Sequence, residues 1–318
     1  MHKAMRSIGC CLTALFLAFA FSGCPMQANY PSTITPIYAG TDAGLWVFNG
    51  SKWNQYTTTN GLGSNSVLSV VVSGSGRWAE IYAGTSAGVS YFNGSSWSSI
   101  STGLGAGSVY ELFLGRNLYA ATAAGLSVLN LDGTSWTLAP LPASSTCIYP
   151  YNTYLYVATA DGLFIYNENT LINANSPTFA PTQILGSSTR VTAILIDSNQ
   201  DIIAGTDKGL AIQYSGSTTF TTLGLPTTAA VNGIYMDSNG NLYAAASTGL
   251  YLIPNSSQPN QRVLSGSVSC VYVDGAGTIH AGTSAGLKIS RNGGSSWTTE
   301  LVGQSVNSIV TTPPLYSF

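Results

Sequence analysis

The residues of this chain that could do chemistry are few and scattered. Past residue 24 there are five arginines (Arg77, Arg116, Arg190, Arg262 and Arg291), one histidine (His280), two cysteines (Cys147 and Cys270), and a glutamate, Glu111, set among small polar positions. Hydrolysis of an acidic sugar on a rigid scaffold needs converging arginines for the substrate carboxylate, an acid and a nucleophile. Arg77 and Arg116 fall in strand-connecting turns and Arg291 in a Gly-Ser turn, which leaves only Arg190 and Arg262. One histidine and two separated cysteines do not make a metal cluster of the usual spacing. No Gly-x-Ser-x-Gly run supplies a nucleophile turn, and no glycine-rich loop opens a helix over a phosphate. His280 stands where other repeats carry Tyr38, Tyr82 or Tyr119, so a packed strand residue is expected rather than a base or ligand. The residues therefore point to no catalytic centre, no metal and no cofactor.

The elements that position these residues are legible as a repeat. An aromatic–Ala–small–Thr strand, a two-residue turn and a Gly-led apolar strand recur seven times. Examples are Ile37-Tyr38-Ala39-Gly40-Thr41 before Gly44, Ile81 to Thr85 before Gly88, and Ile279-His280-Ala281-Gly282-Thr283 before Gly286. The intervening glycines Gly125, Gly162, Gly209 and Gly249 keep a mean period of about 40 residues, the spacing of four-stranded propeller blades. An apolar-rich run precedes each phrase after the first (Ser66–Val72, Ser108–Leu114, Thr146–Tyr149, Val191–Ile196, Val231–Met236, Val268–Val273). A tryptophan strand follows it at Trp53, Trp97, Trp136 and Trp297. These four strands are termed A (inner) to D (outer).

The chain enters at residue 37 on a B strand with no complete A strand before it. At the other end, Ser305–Val310 repeats the A pattern with no B strand after it. Ring closure resolves both: an all-β, seven-bladed β-propeller of four-stranded blades, over residues 36–318, closed by the C-terminal strand pairing into the first blade. Asp-led turns such as Asp237-Ser238-Asn239-Gly240 are expected to close hairpins through their own backbone rather than to bind calcium, since several repeats lack them. A Pro- and Asn-rich insertion, about 168–188, is expected to be a D-to-A loop. Cys147 and Cys270 fall at the same A-strand point of the fourth and seventh repeats, which are not ring neighbours, and are expected to be free thiols.

In such a ring the D-to-A and B-to-C loops share the face where inner strands begin, and ligands enter there. The second A-strand position reads Leu68, Tyr110, Thr146, Thr192, Asn232, Ser269 and Asn307. The third reads Ser69, Glu111, Cys147, Ala193, Gly233, Cys270 and Ser308. Strand alternation predicts that one row faces the channel while the other packs between blades. Tyr110, Glu111, Thr192, Asn232 and Asn307 are the candidate ligand-binding residues.

Composition narrows the partners. Charged residues make up 7% of the chain and the net charge is −2, with no basic run to attract nucleic acid. Lys3 and Arg6 precede an apolar stretch, Cys11–Phe21, too short to span a bilayer as a stable helix. It ends Phe21-Ser22-Gly23-Cys24, which resembles the lipobox of bacterial lipoproteins, with Phe21 where that pattern has Leu. The resemblance implies a signal peptide over 1–23, a diacylated Cys24 and a tether over 24–35, holding the chain to a membrane of the bacterial cell envelope, outer membrane included.

Two further resemblances concern the ring. Tyr56-Thr57-Thr58-Thr59-Asn60-Gly61-Leu62-Gly63-Ser64-Asn65-Ser66-Val67, followed by Ile81–Thr85 and Gly88, resembles the two-component-regulator propeller repeats of bacterial sensors. That family implies an extracellular ligand-sensing propeller, often for glycans, joined to a membrane span and a kinase; neither is present in this sequence. Ser290-Arg291-Asn292-Gly293-Gly294-Ser295-Ser296-Trp297 resembles the structural Asp-box of secreted propellers, with Asn292 for Asp and Ser296 for Thr. The combined expectation is a lipid-anchored, non-catalytic binding or interaction module for a glycan, a peptide or an envelope protein. The alternative is a glycan-processing hydrolase or lyase on the same scaffold.

Overall fold

The computed structural model describes residues 36–73, 80–105, 107–139, 144–168, 182–185, 189–225, 229–256 and 258–311. The signal segment, Cys24, the tether and Arg77 lie outside them.

Seven four-stranded antiparallel sheets form a ring. Blade 1 holds β1 (Ile37–Thr41), β2 (Gly44–Phe48) and β3 (Trp53–Tyr56). Blade 2 holds β4 (Val67–Ser73), β5 (Glu80–Thr85), β6 (Gly88–Phe92) and β7 (Trp97–Ser99). Blade 3 holds β8 (Val109–Leu114), β9 (Leu118–Thr122), β10 (Gly125–Leu129) and β11 (Trp136–Leu138). Blade 4 holds β12 (Ser145–Tyr151), β13 (Tyr154–Thr159), β14 (Gly162–Asn167) and β15 (Thr182–Leu185). Blade 5 holds β16 (Val191–Ile196), β17 (Ile202–Thr206), β18 (Gly209–Gln213) and β19 (Thr221–Leu223). Blade 6 holds β20 (Val231–Met236), β21 (Leu242–Ala246), β22 (Gly249–Ile253) and β23 (Gln261–Ser265). Blade 7 holds β24 (Cys270–Val273), β25 (Ile279–Thr283), β26 (Gly286–Ser290) and β27 (Thr298–Glu300). The last strand, β28 (Val306–Thr311), returns to blade 1 as its inner strand and pairs with β1. The expected closure is the observed one.

The recurring phrase has a physical reason at each letter. In six blades the threonine ending the B strand clamps the B–C turn with its own side chain. Thr206 Oγ1, for example, donates to the Gly209 carbonyl at 2.8 Å and accepts the Lys208 N–H at 3.0 Å. The glycine that follows takes a left-handed φ, +123° at Gly44, where an added Cβ would lie 2.3 Å from the Tyr56 carbonyl oxygen. Blade 6 carries Ala246 in place of that threonine, and Gly249 is not among the positive-φ glycines. The small residue before the threonine lets blades touch: a Cβ on Gly205 would meet Val231 Cγ1 at 2.8 Å. Val231 opens the next inner strand and belongs to a fully buried set that includes Val67, Val109, Val191, Val268 and Val306. The core therefore lies between blades, as where Tyr38 and Leu45 of blade 1 pack on Val67, Val70 and Ile81 of blade 2.

At the rim, D-strand tryptophans reach back to the preceding blade. Trp136 Nε1 donates to the Ile100 carbonyl, and Trp297 Nε1 donates to the Val263 and Gly294 carbonyls at 3.0 Å each. Trp97 packs on Tyr56 with ring centroids 5.9 Å apart.

The Asp-led turns close as hairpins. Asp197, Asp237 and Asp274 each accept two backbone N–H groups through Oδ1, at 2.8–2.9 Å. His280 is buried, with Nε2 3.5 Å from Asp274 Oδ2. In the Asp-box-like turn, Asn292 Oδ1 accepts the Ser296 N–H at 2.9 Å between β26 and β27, on the outer hairpin. Both described cysteines are free.

One expectation is corrected. The insertion about 168–188 is not a D-to-A loop, because β15 lies within it and pairs with β14. Most of the extra residues fall between C and D. The D strand of blade 4, Thr182-Gln183-Ile184-Leu185, has no tryptophan to mark it in sequence.

Candidate functional site

The inner strands enclose a channel, and its mouth opens on the face where those strands begin. The registers fix which loops share that face: Thr41 at the end of β1 pairs with Val306 at the start of β28, and Thr85 pairs with Val67 likewise. The B–C turns therefore ring the same mouth as the D–A loops. One of those loops is built by the residues that carry the sensor resemblance. Asn60 Oδ1 accepts the Thr57 N–H at 2.9 Å, Asn65 Oδ1 accepts the Thr58 N–H at 2.8 Å, and Gly61 takes φ +103°.

The mouth holds a cavity of about 230 Å³ bordered by all seven inner strands. Both candidate rows border it, so the expectation that only one row faces the channel is corrected. The cause is a β-bulge. In six of the seven blades the second inner-strand residue has no partner on the B strand: Val109 pairs with Thr122 and Glu111 with Ala121, leaving Tyr110 over. The same slip occurs at Leu68, Thr146, Thr192, Asn232 and Asn307. A bulge sets two residues against one and breaks the strict alternation of faces.

The two rows do something the sequence did not reveal. The inner strand of each blade is an edge strand with unpaired backbone groups toward the channel, and a side chain from the preceding blade reaches each one. Ser69 Oγ accepts the Leu112 N–H at 3.0 Å, and Glu111 Oε2 accepts the Ile148 N–H at 2.6 Å. Thr146 donates to the Val191 carbonyl at 2.8 Å, Thr192 to the Val231 carbonyl, and Asn232 Nδ2 to the Val268 carbonyl at 2.8 Å. The Cys270 thiol faces the Val306 carbonyl at 3.9 Å, and Asn307 Nδ2 donates to the Val67 carbonyl at 3.2 Å. Every adjacent pair of blades is joined in this way, always from one blade to the next in chain order. Satisfying a backbone group that is shielded from solvent removes a penalty of about 1–3 kcal/mol.

The candidate binding residues thus divide. Glu111, Thr192, Asn232 and Asn307 border the cavity while also linking blades. Tyr110 borders it with 43% of its surface exposed and no such link among the described hydrogen bonds. Glu111 is the one charged residue in the lining. Burial pushes its carboxyl up to about 7, with the Ile148 N–H and the Cys147 thiol pulling the other way. Burial also raises the Cys147 thiol well above its usual range, helped by the neighbouring Glu111 charge. Cys270 is pushed by burial to about 12. Neither thiol is a thiolate at neutral pH, so neither is set up as a nucleophile. Among the described residues, no three His, Cys, Asp or Glu side chains are grouped to hold a metal ion. The mouth offers hydroxyls, amides, one carboxylate and one exposed aromatic ring.

Solved structures similar to this chain place the fold in context. The extracellular domain of the hybrid two component system BT4673 from B. thetaiotaomicron superposes with a TM-score of 0.65 at 20% identity, over 81% of this chain and 36% of that one. The corresponding domain of BT3049 from the same organism gives 0.53 at 17% identity, over 87% and 48%. PorZ, a surface component of the type-IX secretion system of Porphyromonas gingivalis, gives 0.57 at 14% identity, over 85% and 51%. The chain spans about a third to a half of the length of these structures, and at these identities the likeness shows the propeller fold. No family model and no curated protein sequence matches the chain. Among the described residues no helix is long and apolar enough to cross a membrane.

Proposed function

We propose that this chain is an exported ligand-recognition module, held to the bacterial envelope through a lipid on Cys24, that binds a sugar or peptide group at its channel mouth without turning it over. The observation that carries this reading is the cavity itself, a polar cup bordered by seven inner strands, with Tyr110 exposed at its edge. The fold it shares with extracellular domains of two-component sensors supports an extracytoplasmic sensing role. The N-terminal sequence, ending Ser22-Gly23-Cys24, supports the anchor.

Binding of the purified chain to an array of glycans, peptidoglycan fragments and short peptides tests the recognition role. Tyr110→Ala is the informative variant, because it removes exposed surface at the mouth without breaking a described inter-blade bond. Loss of binding in that variant supports a ligand-recognising mouth. Silence across the array sinks it and turns attention to envelope proteins as partners. Mass spectrometry of the membrane fraction tests the anchor, which predicts a diacylglyceryl mass on Cys24 and release of the Cys24→Ser protein from membranes.

A further inference from the structure

The identity of the group that enters the mouth can be read from what the lining side chains have left to offer. This step rests on the mouth being a binding site. Thr146, Thr192, Asn232 and Asn307 each spend a donor on the carbonyl of the next blade. Asn307 spends its second amide hydrogen as well, on Asp42 Oδ1 at 2.7 Å. A threonine hydroxyl has one hydrogen but two lone pairs, and an asparagine oxygen only accepts. Thr146, Thr192 and Asn307 are therefore left with acceptors alone, while Asn232 keeps one amide hydrogen and the hydroxyls of Ser69, Ser269, Ser308 and Tyr110 can donate or accept.

Charge points the same way. Glu111 is the one charged residue of the lining, which contains no lysine, arginine or histidine; its other titratable members are Tyr110, Cys147 and Cys270. The loops ringing the mouth carry Asp42, Asp161 and Asp207 against Lys208 and Arg190, with Asp42 already holding the Asn307 amide. Tyr110, beside Glu111 in the chain, adds an exposed aromatic ring, and aromatic faces attract cations. Size sets a limit. About 230 Å³ is below the roughly 300–1,000 Å³ of pockets that enclose a whole drug-sized ligand. The cavity takes the end of a ligand, not an oligosaccharide.

We propose that the channel mouth binds ligands through a protonated primary amine, which seats against the Glu111 carboxylate and gives its hydrogens to the acceptor oxygens of the cup. An ammonium brings three donors and no acceptor, which suits the Glu111 carboxylate and the threonine, serine and asparagine oxygens around it. The proton count is defined. With its carboxyl raised to about 7, Glu111 is roughly half protonated in the empty site at neutral pH. Pairing with an ammonium requires the carboxylate, so binding near neutrality expels that proton to the solvent while the amine keeps all of its own.

The test is isothermal titration of the full chain with two matched pairs: Nα-acetyl-lysine amide against Nα,Nε-diacetyl-lysine amide, and glucosamine against N-acetylglucosamine. The expected result is that amines bind and their acetylated partners do not. The pair that responds distinguishes a peptide source from a sugar source. Heats should vary with the ionisation enthalpy of the buffer, reporting proton release. For Nα-acetyl-lysine amide, whose ε-amine stays protonated throughout, apparent affinity should rise about tenfold between one pH unit below and one above the Glu111 value, as the competent carboxylate fraction grows. Glu111→Gln should abolish the amine preference and the pH dependence together; its amide oxygen can still accept the Ile148 N–H, so the fold is expected to persist. The acetylated comparison needs no variant and holds even if that protein fails to fold. Equal binding of amine and acetylated forms, or no binding of any of the four, overturns the proposal. Tyr110-dependent binding of neutral sugars on the array would do so too while leaving the recognition role standing.

Discussion

Glu111 and Ile148 lie in adjacent blades and meet over 2.6 Å, the carboxylate of one inner strand accepting the backbone N–H of the next. A residue singled out as a ligand contact is thus also part of the ring's construction. Glu111→Ala leaves that N–H without its acceptor and is expected to lower stability by about 1–3 kcal/mol. Glu111→Gln should lose much less, and thermal melts of the two variants decide the point.

The same carboxyl sets a pH trend. Its value in the folded chain, about 7, is above the ordinary 4.5, so the folded state holds the proton more tightly than the unfolded state. The associated stability is fully present below about 4.5 and is lost as pH rises through about 7. Across that window this carboxyl lowers the melting temperature as pH rises, and the difference in melting temperature between the native chain and Glu111→Gln should shift with pH accordingly.

His280 should give the opposite trend. Burial holds its imidazole below the usual histidine range, with Asp274 pulling the other way and Arg291 reinforcing the depression. The unfolded chain takes up the proton first, so stability is full above the ordinary value, about 6.5, and is lost as pH falls below it. His280→Tyr installs the residue found at this register in blades 1 to 4 and in blade 6. In a Glu111→Gln background it should reduce the loss of melting temperature as pH falls below about 6.5.

Gly205 is held small by a neighbour in the next blade. A Cβ there would come within 2.8 Å of Val231 Cγ1 and 3.1 Å of Ala193 Cβ. Gly205→Val is expected to destabilise by about 1–3 kcal/mol or more through overpacking. Chemical denaturation should show it, and Val231→Ala in the same chain should restore part of the loss.

Thr206 offers a test of the turn clamp. Thr206→Val keeps the shape but removes the bonds to the Gly209 carbonyl and the Lys208 N–H. A loss of about 1–3 kcal/mol is expected. Hydrogen exchange at Lys208 should quicken locally if the clamp holds the turn.

Much of this architecture was legible because its signals are local. The Thr–x–x–Gly turn, the small residue before it and the D-strand tryptophan each answer to contacts within one blade or with the next, and they repeat. The D strands of blades 4, 5 and 6 all lack a tryptophan, and blade 4 was misjudged because its long insertion falls ahead of β15 and hid that strand. The mouth was legible only in part. Tyr110, Glu111, Thr192, Asn232 and Asn307 do border one cavity. That two rows border it depends on a bulge, which is a property of pairing and not of either strand alone. That most of these side chains link blades depends on partners some 36 to 45 residues away, or 240 in the case of Asn307 and Val67. No reading of neighbours along the chain exposes those pairs.

The pairing of β28 with β1 also governs timing. Asn307, Ser308 and Ile309 complete both the first blade and the wall of the mouth, yet they are among the last described residues to leave the ribosome. A nascent or prematurely ended chain has six complete sheets and a gap, with the edge of β1 bare and nothing to reach Val67 from that side. Native contacts separated by most of the chain form slowly. Without β28 the first blade lacks its inner strand and the cup lacks one of its seven walls, so a copy missing that strand is expected to lose the mouth and expose a bare sheet edge together.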